Sequence, residues 1–223
     1  MLVSHRKKFI YTKTKKTGGT SVESYFEKYC MGEGEWEFID EREEYESEYG
    51  IIGSRGKIAE KLIKPKFYHH MPAIKIRDMI GNKIWDEYYK FCVVRNPYEK
   101  ILSAFFHFVV YDNKITESRP ELINIFREWV KSGKKKMFDD NAFIIDGKIC
   151  MDYFIRHENI LEGIKHVCDV LDIAYIPEAL PKLKSEFKPT DANIYDYFDI
   201  ETARIIENRF KLVFELFNYK LLF

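Results

Sequence analysis

Apolar and polar positions alternate in two distinct rhythms along this chain, and the switch between them marks its elements. Phe9, Ile10 and Tyr11 form a short apolar run that predicts a strand, and Val22, Tyr25, Phe26 and Tyr29 recur at helical spacing with one apolar face. Between them lies Thr12-Lys-Thr-Lys-Lys-Thr-Gly-Gly-Thr-Ser21, so the first unit reads strand, glycine loop, helix. Phe67-Tyr-His-His70 predicts a second short strand. Pro72 suits a helix start and Gly81 a helix stop, which predicts a helix over Ala73–Ile80. Lys90-Phe-Cys-Val-Val94 lacks alternation, as expected of a strand covered on both faces in a parallel sheet, and Arg95-Asn-Pro97 ends it. Ile101, Leu102, Phe105, Phe106 and Val109 then form a helical stripe with Ser103 at its edge. Further helices are predicted near 120–132, 160–172 and 199–217, with a strand near Met151 to Ile155. Alternating strands and helices predict an α/β fold: a three-layer domain around a mainly parallel central sheet, with the whole of 1–223 as one domain.

Composition narrows the field. In 223 residues the apolar share is 46%, with 18 Phe, 15 Tyr and 3 Trp, which excludes disorder as the main state. Lys plus Arg total 36 and Asp plus Glu total 36, so no global field exists to hold a nucleic acid, and any polyanion must be met locally. No apolar run reaches the roughly 20 residues of a membrane helix, and no secretory leader is evident; a cytoplasmic location is the expectation. Residues 33–48 hold nine acidic residues and one arginine, which predicts an acidic loop or insertion over about 33–50. Cys30, Cys92, Cys150 and Cys168 show neither disulfide nor zinc spacing and are expected reduced and packed.

The glycine loop has a definite physical use. Glycines let Lys16-Thr17-Gly18-Gly19-Thr20-Ser21 turn tightly and bring backbone N–H groups close to an anion at a helix N-terminus. Thr20 and Ser21 serve equally well as plain N-caps. The loop differs from that of nucleoside triphosphatases, because its lysine precedes both glycines, and the strand at 90–94 ends in Arg95 rather than a magnesium-binding aspartate. Arg95, and Ser103 about one and a half turns into the next helix, form a second candidate anion site, although an arginine here also suits a structural ion pair and a serine helix packing.

Taken in order, Lys16–Ser21, His70-Met-Pro-Ala73 and Phe91-Cys-Val-Val-Arg-Asn-Pro-Tyr-Glu-Lys-Ile-Leu-Ser-Ala104 resemble the carbohydrate sulfotransferases, of bacterial type, that use 3′-phosphoadenosine-5′-phosphosulfate (PAPS). Asp152–Asn159, Val167–Leu171, Tyr197–Thr202 and Phe214–Tyr219 extend the resemblance over about residues 9–219. It implies a P-loop-like phosphosulfate-binding loop in which Lys16 and the backbone of Thr17, Gly18, Gly19, Thr20 and Ser21 grip the 5′-phosphosulfate, while Arg95 and Ser103 hold the 3′-phosphate. It also implies His70 as catalytic base, with His69 in reserve and a glutamate base, as some relatives use, as the alternative, Lys16 supporting the leaving phosphate, no metal, and a carbohydrate or glycoconjugate acceptor. A histidine at 70 that only caps a helix or packs on Tyr68 is the alternative from the residues themselves. Lys184–Lys188 matches only loosely a segment that closes over the nucleotide in relatives. Lys100, His157 and Asn218 depart from the family pattern at positions expected to lie away from the donor grips. The acidic tract and the basic cluster of Lys131 and Lys134–Lys136 suit solvated surface, so a neutral or weakly charged saccharide is expected. Two other readings stand beside this one: an ATP-dependent P-loop kinase, and a silent nucleotide or glycan binder.

Overall fold

The computed structural model describes residues 1–56, 65–133, 137–181, 183 and 188–223. By contact the chain divides into two compact units, one comprising Met1–Val94 with Asp139–Leu183, the other Arg95–Phe138 with Lys184–Phe223.

The first unit carries a six-stranded sheet. Its strands are β1 (Leu2–Ser4), β2 (Phe9–Thr12), β3 (Tyr45–Ser47), β4 (Gly50–Ile52), β5 (Tyr89–Val94) and, after a small hairpin of β6 (Ile144–Ile145) and β7 (Lys148–Ile149), β8 (Tyr153–Arg156). The spatial order is β3-β4-β1-β2-β5-β8. Only β2–β5 and β5–β8 pair in parallel; β1–β2, β1–β4 and β3–β4 are antiparallel. The expectation of a mainly parallel sheet is therefore corrected: the sheet is mixed. The reason is loop length. The short connections from β1 to β2 and from β3 to β4 can join only antiparallel neighbours, whereas a parallel pair needs a crossover of a dozen residues or more. Because β1 reverses direction on both sides, β2, β4, β5 and β8 nonetheless end at the same edge.

Phe67–His70 forms no strand. Tyr68 makes a single parallel bridge to Ser54, just beyond β4, and the backbone then turns with His70 at φ 59°, in the left-handed region that ends an extended run. Tyr45–Ser47, inside the acidic stretch, forms the edge strand. The predicted helix over 73–80 is α2 (Ala73–Ile80), followed by α3 (Asn82–Glu87).

Helix α1 (Gly19–Glu27) and, after β8, a helix at Ile160–Val170 cover one face of this sheet. Phe9, Tyr11, Phe91, Val93 and Ile155 point to that face at period two and pack with Val22, Tyr25 and Phe26 and with Ile164, Val167 and Cys168. These side chains are fully or nearly fully buried, so each of the larger ones contributes about 1.5–3 kcal/mol of apolar burial.

The second unit is helical: α4 (Pro97–Phe105), α5 (Arg119–Ser132), then, numbering the Ile160–Val170 helix of the first unit α6, α7 (Ile194–Tyr197), α8 (Ile200–Arg209) and α9 (Lys211–Phe217). Phe105, Phe126, Tyr197 and Phe198 form its aromatic centre. The helix predicted over 199–217 breaks at Phe210, and the stripe after α4 continues as a π-helical turn over Phe106–Tyr111. The mixed sheet with helices is an α/β arrangement compatible with the three layers expected. Among the described residues no helix is long and apolar enough to cross a membrane, and no group of three or more His, Cys, Asp or Glu could hold a metal ion.

Candidate active site

The loop between β2 and α1 is braced from within. Thr14 Oγ1 donates to the Val93 carbonyl at the end of β5, which leaves the Thr17 hydroxyl as donor in its 2.9 Å contact with Thr14 Oγ1. Thr17 therefore stabilises the loop with its side chain, and only its backbone faces the role expected of it. The Lys15 amide donates to Asp139 Oδ2, and Tyr11 OH donates to the Gly19 carbonyl at 3.0 Å. Gly18 sits at φ 72° and caps α1, while a Cβ on Gly19 would lie 2.9 Å from Tyr11 Oη, so both glycines answer a steric demand. Lys16 shares the left-handed conformation at φ 57°. The first turn of α1 carries no acidic residue, which leaves the positive end of its dipole unopposed there. Thr20 is half-buried, and buried Ser21 accepts from the Leu183 amide at 3.3 Å through its Oγ.

His70 meets this loop from the segment that follows β4. The His69 amide donates to the Ser54 carbonyl, which holds the segment beside the sheet edge, and His70 Nδ1 lies 2.9 Å from the Lys13 carbonyl. A carbonyl only accepts, so Nδ1 carries the proton and Nε2 keeps its lone pair. Burial pushes the His70 imidazole well below its ordinary pKa, and Lys13 and then His69 push it further, so it is neutral at physiological pH. His69 has the same tautomer, with Nδ1 3.0 Å from the Ser54 carbonyl, and burial and Lys13 lower its pKa too.

Beneath the loop lies a buried ionic cluster that the sequence pattern does not reveal. Glu23 and Glu27, one turn apart on α1, are fully buried. Glu23 takes Lys13 Nζ at 2.6 Å and the Met1 ammonium at 2.7 Å; Glu27 takes both terminal nitrogens of Arg55 at 3.0 Å and pairs with Arg42 Nε. Burial alone would raise the Glu23 carboxyl, but Lys13, the Met1 ammonium and Arg55 outweigh it and hold it well below the usual carboxylate range. The signal that could have pointed here is two glutamates spaced i,i+4 in the helix that follows a lysine-rich loop; their partners at 13, 42 and 55 share no period with them.

His157 stands against the loop rather than away from it. A Cβ on Gly18 would lie 3.1 Å from His157 Cδ2, so this departure from the family pattern does reach a proposed donor grip.

Arg95 and Ser103 belong to the second unit. Arg95 follows β5 directly, and Asn96 caps α4 by accepting from the Tyr98 amide at 2.9 Å, with Pro97 in the first turn. Arg95 Nη2 lies 3.2 Å from Glu99 Oε2, which also takes Lys188 Nζ at 2.7 Å. Ser103 is half-buried on α4, and buried Lys100 places its ammonium 5.6 Å from the centre of the Phe210 ring. Lys131 pairs with Glu201 at 2.9 Å; Lys134–Lys136 and 184–187 lie outside the described residues.

A sulfotransferase family model matches residues 1–220. The chain belongs to the sulfotransferase family. A sulfotransferase of this family acts on an acceptor, so the assignment carries transferase activity in general terms. An uncharacterized protein of Archaeoglobus fulgidus is 32% identical over 103 residues, which span 44% of this chain and 78% of that relative. No solved structure gives a match.

Proposed function

We propose that this protein transfers a sulfuryl group from PAPS to a hydroxyl of a carbohydrate or glycoconjugate. The observation that carries the reading is His70, neutral and with Nε2 available to accept a proton, tied through Nδ1 to the first residue of a glycine loop at a helix N-terminus. The loop fits an anion: its backbone turns at Gly18, no carboxylate occupies the first turn of α1, and the nearby Glu23 is neutralised by Lys13.

In this reading the donor supplies an activated sulfuryl group. The backbone of Thr17–Ser21 orients the 5′-phosphosulfate, and Lys16 stabilises negative charge on the departing phosphate. Arg95 and Ser103 hold the 3′-phosphate, an assignment supported by the sequence resemblance. His70 Nε2 takes the acceptor's hydroxyl proton as the new O–S bond forms and the bridging S–O bond breaks, releasing 3′,5′-bisphosphoadenosine in an in-line displacement.

The test is transfer of ³⁵S from labelled PAPS to a panel of neutral and acidic glycans, together with thermal shifts. A bisphosphate product at 100 times its Kd adds about 2.7 kcal/mol of stability. Stabilisation by 3′,5′-bisphosphoadenosine and labelled glycan are expected. A shift with ATP and magnesium but none with the bisphosphate would overturn the reading.

A further inference from the structure

We propose that Lys13, anchored by the buried carboxylate of Glu23, is a positioning residue that fixes the tautomer and the neutral state of His70. The inference rests on the assignment of His70 as base and asks what prepares it.

The two halves of Lys13 act on His70 by different routes. Its main-chain carbonyl receives the Nδ1 proton at 2.9 Å, which directs the lone pair of Nε2 outward from that bond. Its side chain, 4% exposed as a residue, is held by Glu23 Oε2 at 2.6 Å and cannot swing away into solvent. A lysine on a solvated surface would be screened and mobile, and its effect on a neighbouring imidazole would be small. Here the ammonium is held by Glu23 in a poorly solvated setting, on the same residue whose carbonyl binds the ring, and its like charge disfavours the imidazolium. Among the described residues, the other charged or titratable groups that act on His70 are His69, whose ring meets it edge to face at 4.8 Å, and the Met1 ammonium just before β1, itself bound to Glu23.

His70 also holds a left-handed backbone, φ 59°, immediately before Met71-Pro72. A non-glycine residue there is uncommon and costs energy, so the surrounding contacts must hold it. The bond to Lys13 is the side-chain contact that ties this strained residue to the loop. Glu23, Lys13 and His70 thus form a relay from the second turn of α1, through the root of the glycine loop, to the base. Because the same Lys13 begins the loop that turns at Gly18, the geometry of the base and that of the anion cradle share one anchor.

The experiment reads the imidazole directly. Long-range ¹H–¹⁵N spectra of the full-length ¹⁵N-labelled protein, recorded from pH 4.5 to 8.5 and assigned with His69→Gln and His70→Gln, give the tautomer and titration midpoint of His70. Wild-type protein is expected to show the Nδ1–H tautomer and a midpoint below that of an ordinary imidazole. Lys13→Met keeps the carbonyl and leaves Glu23 paired with the Met1 ammonium and Arg55; its His70 midpoint should rise by about one unit, roughly tenfold in proton affinity, with the tautomer retained. Lys13→Arg should restore the low midpoint. An Nε2–H tautomer in the wild type, which needs no variant to observe, overturns the proposal, as does an unmoved midpoint in Lys13→Met. The acid limb of kcat/KM against pH separates this inference from the function it rests on. If the limb moves up with the spectroscopic midpoint, both stand; if the midpoint moves and the limb does not, the Lys13 coupling holds and His70 is not the base.

Discussion

Removing the Arg55 guanidinium should be among the most damaging single changes in the first unit. Arg55 is 2% exposed and makes a two-pronged bond to Glu27, with both N···O distances at 3.0 Å, and lies 3.6 Å from Glu23. It also donates to the carbonyls of Asp40 and Ile39, closing the acidic stretch onto α1. Arg55→Met leaves Glu27 buried with Arg42 as its cation and strips those two carbonyls of a donor. Breaking a buried ion pair from one side costs about 3–5 kcal/mol, and the lost carbonyl bonds place Arg55→Met toward the upper end. In a chain of this size that corresponds to a fall in Tm of roughly 6–20 °C. Glu27→Gln removes the charge from the other side and should cost a similar amount. The double variant removes both members of the Arg55–Glu27 pair, so it should fall short of the sum of the singles by about 2 kcal/mol. Urea unfolding at pH 7.5, followed by far-UV circular dichroism, measures all three. A single variant that costs under about 1 kcal/mol, or strictly additive costs, refutes the view that the cluster acts as one buried unit.

Acidification should weaken the fold in two windows. The folded-state pKa values of His69 and His70 lie below the ordinary 6.5, so the unfolded chain binds more protons and stability falls as pH drops through 6.5; Glu23 lies below the ordinary 4.5 and adds a second loss beneath that value. Urea midpoints from pH 8 to 4 should fall throughout, and a flat or rising course between pH 7 and 5 contradicts the sign derived for the histidines. Lys16→Ala should lower kcat by about 10²–10³ with the fold intact, the loss associated with removing one preorganised stabiliser of leaving-group charge; transfer assays that show an unchanged kcat remove Lys16 from the chemistry. Gly19→Ala forces its new methyl against Tyr11 Oη, 2.9 Å away, and should destabilise by about 1–3 kcal/mol while weakening bisphosphate binding, measured by thermal melts and calorimetry.

The elements nearest the site were the most legible, for a physical reason. The β2–loop–α1 unit carries its instructions locally: an apolar run, two glycines and a stripe at helical spacing lie within 21 consecutive residues, and the structure places strand and helix there. β5 was legible because a strand covered on both faces needs no polar alternation. β1 was not, since Leu2–Ser4 is too short for a period and becomes a strand only by pairing with both β2 and β4. Phe67–His70 misled in the opposite sense. Its composition favours a strand, but the backbone is needed for another purpose, delivering His70 to the Lys13 carbonyl in a left-handed turn. Local propensity yields there to a tertiary bond, as happens most often where a fold positions chemistry. The acid cluster is the extreme case, because Glu23 and Glu27 look like polar positions of an amphipathic helix until Lys13, Arg42 and Arg55 arrive from elsewhere in the chain.

That cluster also changes what the even count of charges means. With Lys plus Arg equal to Asp plus Glu, the chain has no net field to attract a polyanionic donor, and a cluster of lysines at 13, 15 and 16 invites the conclusion that all three attract it together. The structure separates their roles. Lys13 is committed downward to Glu23 on α1, and the Lys15 amide donates to Asp139, so two carboxylates brace the loop from beneath and beside it, while Thr14 ties it to β5. Carboxylates so close to an anion cradle would oppose binding if they were uncompensated. Glu23 is paired with Lys13, the Met1 ammonium and Arg55 and so contributes rigidity at little electrostatic cost; in the proposed function the attraction falls to oriented N–H dipoles and to Lys15 and Lys16. If the loop holds the phosphosulfate as proposed, it should discriminate by shape, because backbone dipoles act only at short range, whereas a diffuse cluster of lysines would accept any polyanion.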